Sequence, residues 1–421
     1  MRNWTDNGLY NMIVGRAGCG LGYAVKKSGG AVAYCALGIR CGTRNEDGFH
    51  SGIAHFVEHT LFKGTEHRRA SSINSYLDRL GGELNAYTTK EEIVIHATVL
   101  KEDLPKAVSL LFELATSATF PEKEVEKEKG VVIDEINSYK DSPSEEIYDR
   151  FEELLFHGHP LSRPILGTAA SVRKITGGEL HSFIREKFIP EDMVFSVVAD
   201  IPEDRMERQV ERLCDRFFAG MAARSAPSSR ALQPVRIDNV FDRTVNKRNH
   251  QVNCIIGSPA PSLYQTAERV PAALLCNILG GPASNSILNS VLREKYGWVY
   301  GVECSYTQYA DTGIAAISFG CERDNYEKCL VHIGKEVGKL QDTPLGPNRL
   351  KAAKKQFFGQ LAIVSDNGES QCLSMCKSLL AYGTVMSDQQ TREMVEAVTA
   401  ADILESARRI FGPSSSRLIF L

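Results

Sequence analysis

The sequence predicts an α+β fold of two homologous domains, each a mostly antiparallel sheet with helices packed on one face. Three observations carry that prediction. Strand-like and helix-like stretches alternate irregularly in the first half, without the βαβα rhythm of a doubly wound parallel sheet. A segment near the middle of the chain recurs near its end at a gapless offset of 223 residues. A stretch rich in Ala, Ser and Pro divides the chain between the two copies.

The elements follow in order. Residues 31–39 form a continuous apolar run and 91–100 (EEIVIHATVL) a second one enriched in β-branched residues, so both read as strands. Between them Ser72 is placed to cap a helix whose apolar positions Ile73, Tyr76, Leu77 and Leu80 keep helical spacing, and Gly81 and Gly82 end it. Residues 104–115 and 122–139 read as two further helices. ITGGEL at 175–180, with Arg185, Phe188 and Pro190, then reappears as VTAADI at 398–403 with Arg408, Phe411 and Pro413. Both copies predict a Thr N-cap with an acidic residue at N3, an amphipathic helix, and an apolar strand at 193–199 or 418–421. The boundaries that follow are a domain over 1–219, a linker over 220–235 and a second domain over 236–421.

Composition narrows the function classes. The chain of 421 residues carries 49 Lys and Arg against 52 Asp and Glu, a net charge of −3, so no strong field is available to hold nucleic acid or an anionic membrane. At 43% hydrophobic and 24% charged residues it is an ordinary globular composition. Its 11 cysteines are scattered, with no CxxC pair, and read as reduced thiols. Residues 1–10 lack the apolar core of a signal peptide, and no apolar run approaches the ~20 residues of a membrane span. A cytoplasmic location is the expectation.

Chemistry concentrates in GIAHFVEHTLF at 52–62. On a helix His55 and His59 lie one turn apart on one face, with Glu58 beside it, and two imidazoles so placed can bind a single Zn²⁺. HxxEH is the inverse of the HExxH zinc motif. A catalytic zinc needs a third protein ligand and a carboxylate near its water to act as general base. The helix over 122–139 sets Glu128, Val132 and Glu135 on a single stripe, mixing carboxylates with an apolar residue. Carboxylates facing inward need a cation or a hydrogen-bond partner, so this stripe is a candidate source of the third ligand, the alternative being a solvated charge run.

The combination of His55, Glu58 and His59, then FKGT at 62–65, then Glu135 with Glu128 seven residues before it, resembles the pitrilysin family of zinc metallopeptidases. Insulin-degrading enzyme and the mitochondrial processing peptidase belong to that family. The resemblance implies one zinc per chain held by His55, His59 and Glu135, with Glu58 as the base and Glu128 as a supporting residue. It further implies that Asn85 and Ala86 bind substrate backbone on an edge strand, and that Arg293 and Tyr300, in LREKYGWVYGV, reach the substrate from the other half. The helix over 271–279 has no HxxEH, so the second half is expected to lack zinc. The expected function is an endopeptidase that encloses unfolded peptides between its halves. The alternative is a non-catalytic scaffold or partner subunit of the same fold. Long members of the family carry four such domains, so this shorter chain is expected to pair as a homodimer or with a related chain. His₂Glu donors also accept Co²⁺ or Mn²⁺.

Overall fold

The computed structural model describes residues 12–221, 232–247, 251–412 and 415–421, so most of the expected linker lies outside the described residues. In chain order the first half runs β1 (Met12–Arg16), β2 (Gly22–Lys27), β3 (Val32–Ile39), α1 (Ile53–Leu61), α2 (Ala70–Asp78), β4 (Glu83–Thr88), β5 (Ile93–Leu100), α3 (Leu104–Ser117), α4 (Glu122–Lys140), α5 (Pro143–Leu155), α6 (Ala169–Val172), α7 (Gly177–Lys187), β6 (Met193–Ala199) and α8 (Glu203–Phe218). The second half runs β7 (Asp242–Val245), β8 (Val252–Ala260), α9 (Thr266–Gly280), β9 (Val299–Gln308), β10 (Gly313–Cys321), α10 (Tyr326–Asp342), α11 (Pro347–Asp366), α12 (Gly368–Tyr382), α13 (Asp388–Ala397), α14 (Ala400–Ile410) and β11 (Ser416–Phe420).

The repeated caps form as the sequence predicts: the Thr176 hydroxyl accepts from the Glu179 N–H and the Thr399 hydroxyl from the Asp402 N–H, each at 3.2 Å. The helix around Ile73 starts earlier than expected. Its N-cap is Arg69, whose carbonyl already accepts from the Ser72 N–H, so Ser72 lies inside the first turn and caps nothing.

The fold is α+β, and the five strands of the second sheet repeat the topology of five of the first sheet's six, β1 being the extra strand. The first has strand order β1-β2-β6-β3-β5-β4 and the second β7-β11-β8-β10-β9. In each, one pair is parallel (β2 with β6, β7 with β11) and the remaining pairs are antiparallel. The 223-residue offset carries β6 onto β11 and β5 onto β10, so the repeat read from two short segments extends to the shared strands of the sheets.

Two features correct the sequence expectation. Each sheet is covered on both faces rather than one. In the first, α3 and α8 cover one face, with Phe112 meeting Phe195 and Phe218 at ring distances of 5.0 and 5.3 Å. The other face, lined by Ala24, Ala36, Val94, Val194 and Val198, is covered by Cys372, Met375, Cys376 and Leu379 of α12. Buried Ser196 donates to the Cys372 carbonyl at 2.9 Å, and a Cβ on Gly38 would come within 2.6 Å of the Cys376 sulfur. The physical signal is that β6 is apolar except for Ser196 and buried at every residue; a strand solvated on one face would alternate.

The compact units are also not continuous halves. Unit 1 comprises Met1–Ile136, Arg163–Arg230 and Ile363–Ser387; unit 2 comprises Asn137–Ser162, Ala231–Ala362 and Asp388–Leu421. Thus α12 belongs to unit 1, and α5 belongs to unit 2, where Ile147, Phe151 and Leu155 cover Ile255, Ile314, Ala316, Leu418 and Phe420. The repeat offset places α5 over α12, so each half lends the same helix to the other half's sheet.

Candidate metal centre

The centre lies in unit 1 and is built on α1. Its residues Ile53, Ala54, Phe56, Val57 and Leu61 are wholly buried, which fixes the helix in the core and leaves one face for the histidines. Its start is set by Gly52, at φ +90°, where a Cβ would come within 2.7 Å of the Leu166 carbonyl oxygen. No local side chain caps the helix. Instead the buried Glu46 carboxylate accepts from the N–H groups of Gly52 and Ala54 at 3.0–3.1 Å. Burial pushes Glu46 up to about 7, partly offset by those bonds and by Arg163 and Lys90.

One turn separates the His55 and His59 rings, whose centroids are 4.6 Å apart. α4 brings Glu135 opposite both: its Oε2 lies 3.4 Å from His59 Nε2 and 3.8 Å from His55 Nε2. One ligand atom from each of His55, His59 and Glu135 falls within 4.8 Å of the others, and among the described residues no second such group occurs. Val132, on the same stripe of α4, is fully buried and seats that helix. Glu128 lies below the ligand face, nearly buried, with Oε1 3.0 Å from His59 Nδ1 and Oε2 2.7 Å from Lys63 Nζ. Glu58 accepts from the Thr88 hydroxyl of β4 at 2.9 Å.

The electrostatics suit a cation. Burial, reinforced by the neighbouring His59, pulls His55 down to about 3, so its imidazole is neutral and carries a free lone pair. Its Nδ1 is buried with no hydrogen-bond partner among the described residues, and its Nε2 is too far from Glu135 to bond. Burial also lowers His59, but the Glu128 hydrogen bond and the charges of Glu58, Glu135 and Glu128 outweigh it, and the net shift is upward. Burial raises Glu58, keeping a proton-accepting carboxylate above the usual range. Glu128 ends below that range: burial opposes its charge, and the bonds to His59 and Lys63 overcome it. Two imidazoles and one carboxylate with inward-facing donor atoms form a donor set that zinc accepts, with Glu128 orienting one imidazole from behind.

Asn85 and Ala86 stand on β4, the edge strand, which pairs only with β5 and is tied to the centre through Thr88; Asn85 is exposed and Ala86 half-buried. Arg293 and Tyr300 belong to unit 2. Arg293, in the helical segment Asn289–Lys295, is exposed, lies 4.0 Å from the Glu294 carboxylate, and lines an open groove of about 580 Å³ with Asn289, Glu303 and Gly301. Tyr300, on β9, is 69% exposed. In α9, Asn277 donates to Gln360 of α11 at 2.7 Å, an amide pair with no acidic ligand. Sequence reasoning missed three contributors. Lys63 had a signal, since it lies within FKGT four residues beyond His59, and Thr88 ends the edge-strand stretch NAYT at 85–88, although neither signal assigns a role at the centre; Glu46 had none beyond its position near the motif.

The chain is thus an α+β protein of two compact units, one of which carries the inverted His-x-x-Glu-His helix. The family model described as Insulinase (Peptidase family M16) matches residues 23–169, and that described as Peptidase M16 inactive domain matches residues 174–357. An uncharacterized zinc protease of Mycobacterium leprae is 30% identical over 384 residues, covering 90% of this chain and 85% of its own length. One from Rickettsia bellii is 26% identical over 380 residues, covering 90% of each. Among solved structures, a protease from Helicobacter pylori shares the fold at TM-score 0.89 with 20% identity, covering 98% of this chain and 100% of its own. The chain belongs to the M16 peptidase family. No helix of the described residues is long and apolar enough to cross a membrane.

Proposed function

We propose that the chain is a zinc-dependent endopeptidase of one zinc per chain, with His55, His59 and Glu135 as ligands and Glu58 as general base. The observation that carries this reading is the convergence of the two imidazole Nε2 atoms on the Glu135 carboxylate, with Glu58 on the same helix. Zinc bound there supplies Lewis-acid polarisation of the scissile carbonyl and acidifies water. Glu58 takes the proton of the attacking water and passes it to the leaving amine; its raised pKa suits that exchange. Glu128 holds the proton on His59 Nδ1, which leaves Nε2 free to ligate.

Asn85 and Ala86 bind the backbone of an extended substrate that adds to the edge of β4. Arg293 and Tyr300 bind the substrate from unit 2, and the chain works paired with a second copy or a related chain. The match of residues 174–357 to an inactive domain supports a second half without zinc. The test is metal content together with cleavage of a quenched, unstructured peptide by the purified full chain. Zinc near one per chain with metal-dependent cleavage is expected; zinc without cleavage by the homogeneous chain favours the partner-subunit reading.

A further inference from the structure

Glu128 is shared. One oxygen meets His59 Nδ1 at 3.0 Å and the other meets Lys63 Nζ at 2.7 Å, while its side chain is only 5% exposed. A carboxylate this enclosed needs both oxygens partnered, and the orientation of the second bond decides where the first one points. The backbone that carries Lys63 is itself braced. Lys63 follows α1 directly, its N–H donating to the Thr60 carbonyl at 3.0 Å. The next residues are pinned to the end of α3 by Thr119 N–H to Gly64 O at 3.1 Å, Thr65 hydroxyl to Glu113 at 2.6 Å and Glu66 N–H to Ser117 O at 2.9 Å. A positive charge just beyond α1 also lies at the end of the helix that favours cations.

We propose that Lys63 is a positioning residue of the metal centre, clamping Glu128 so that His59 presents Nε2 toward Glu135. This inference rests on the zinc reading above. The simple alternative, an ion pair contributing only to packing, differs in one respect: it does not act through Glu128. Charge and geometry both matter in the clamp, so arginine can stand in for lysine and methionine, of similar length without charge, cannot.

The experiment measures zinc dissociation constants by chelator competition on the full chain, for the parent, Lys63→Met, Lys63→Arg, Glu128→Gln and the Lys63→Met/Glu128→Gln double variant. Lys63→Met is expected to weaken zinc binding about tenfold, the low end of the range for residues that orient a metal ligand from behind. Lys63→Arg is expected to stay within about threefold of the parent, and Lys63→Met to add less than about twofold in the Glu128→Gln background, since neighbours acting as a unit are non-additive. A loss below about threefold in Lys63→Met, an arginine variant no better than methionine, or effects that multiply in the double variant overturns the proposal while the zinc reading stands. A parent that binds no zinc overturns both.

Discussion

Glu135 and Glu128 are two turns apart on α4 and do different things. Glu135 faces both imidazoles, whereas Glu128 meets only the Nδ1 edge of His59. Replacing Glu135 by Gln is expected to weaken zinc binding by more than the roughly 10–100-fold that losing a residue behind a ligand costs, as chelator competition would show. Unchanged affinity would mean the third ligand lies elsewhere. Glu46 offers a different measurement. Its folded pKa, about 7, is raised by burial, so the folded state holds the proton more tightly than the unfolded chain. The resulting stabilisation is present below the ordinary carboxylate range and is lost as pH rises through about 7. Relative to Glu46→Gln, the parent should lose on the order of 3 kcal/mol of stability by about pH 8, at about 1.4 kcal/mol for each tenfold difference in proton affinity between the folded and unfolded chain. Denaturant titrations of the two proteins across pH would read this; parallel curves would contradict it.

At the scale of elements, α1 is held by backbone geometry as much as by side chains. Gly52→Ala must place a Cβ 2.7 Å from the Leu166 carbonyl at φ +90°, and is expected to cost ~1–3 kcal/mol of stability. Denaturation midpoints would check it, and an unchanged midpoint would mean the turn relaxes freely. Much of this level is legible in sequence. The spacing of His55, Glu58 and His59 defines one helical face, and the mixed stripe of Glu128, Val132 and Glu135 marks a helix facing inward. Lys63 reads in sequence only as part of the FKGT motif, although helical spacing puts it one turn beyond His59. Glu46 is unreadable, because a cap drawn from six residues upstream leaves no periodic trace.

At the scale of the molecule, the sequence points to a repeat and the structure extends it to two sheets that share a five-strand topology, with exchanged helices. The exchange escapes sequence reading because helix amphipathicity says that a face is buried, not which sheet buries it. The run of β6, apolar on both faces apart from Ser196, nonetheless signals a second covered face. Residues 1–219 alone lack α12 and leave Ala36, Val94, Val194 and Val198 uncovered, so that fragment should associate or fold poorly. Fusing residues 363–387 to it should yield a monodisperse folded protein, as size-exclusion chromatography and circular dichroism would show. A well-folded, monomeric 1–219 would refute the exchange as a requirement.

Glu58 is proposed to do the proton chemistry beside zinc held by His55, His59 and Glu135. The most direct measurement compares the full-length parent with Glu58→Gln for zinc stoichiometry and for turnover of a quenched, unstructured peptide. Both proteins are expected to carry one zinc per chain, with turnover in the variant lower by at least about 10²-fold, since the amide keeps the size of the carboxylate and cannot accept a proton. A Glu58→Gln variant that retains zinc and cleaves within about tenfold of the parent, a barrier change of only ~1.4 kcal/mol, would contradict it.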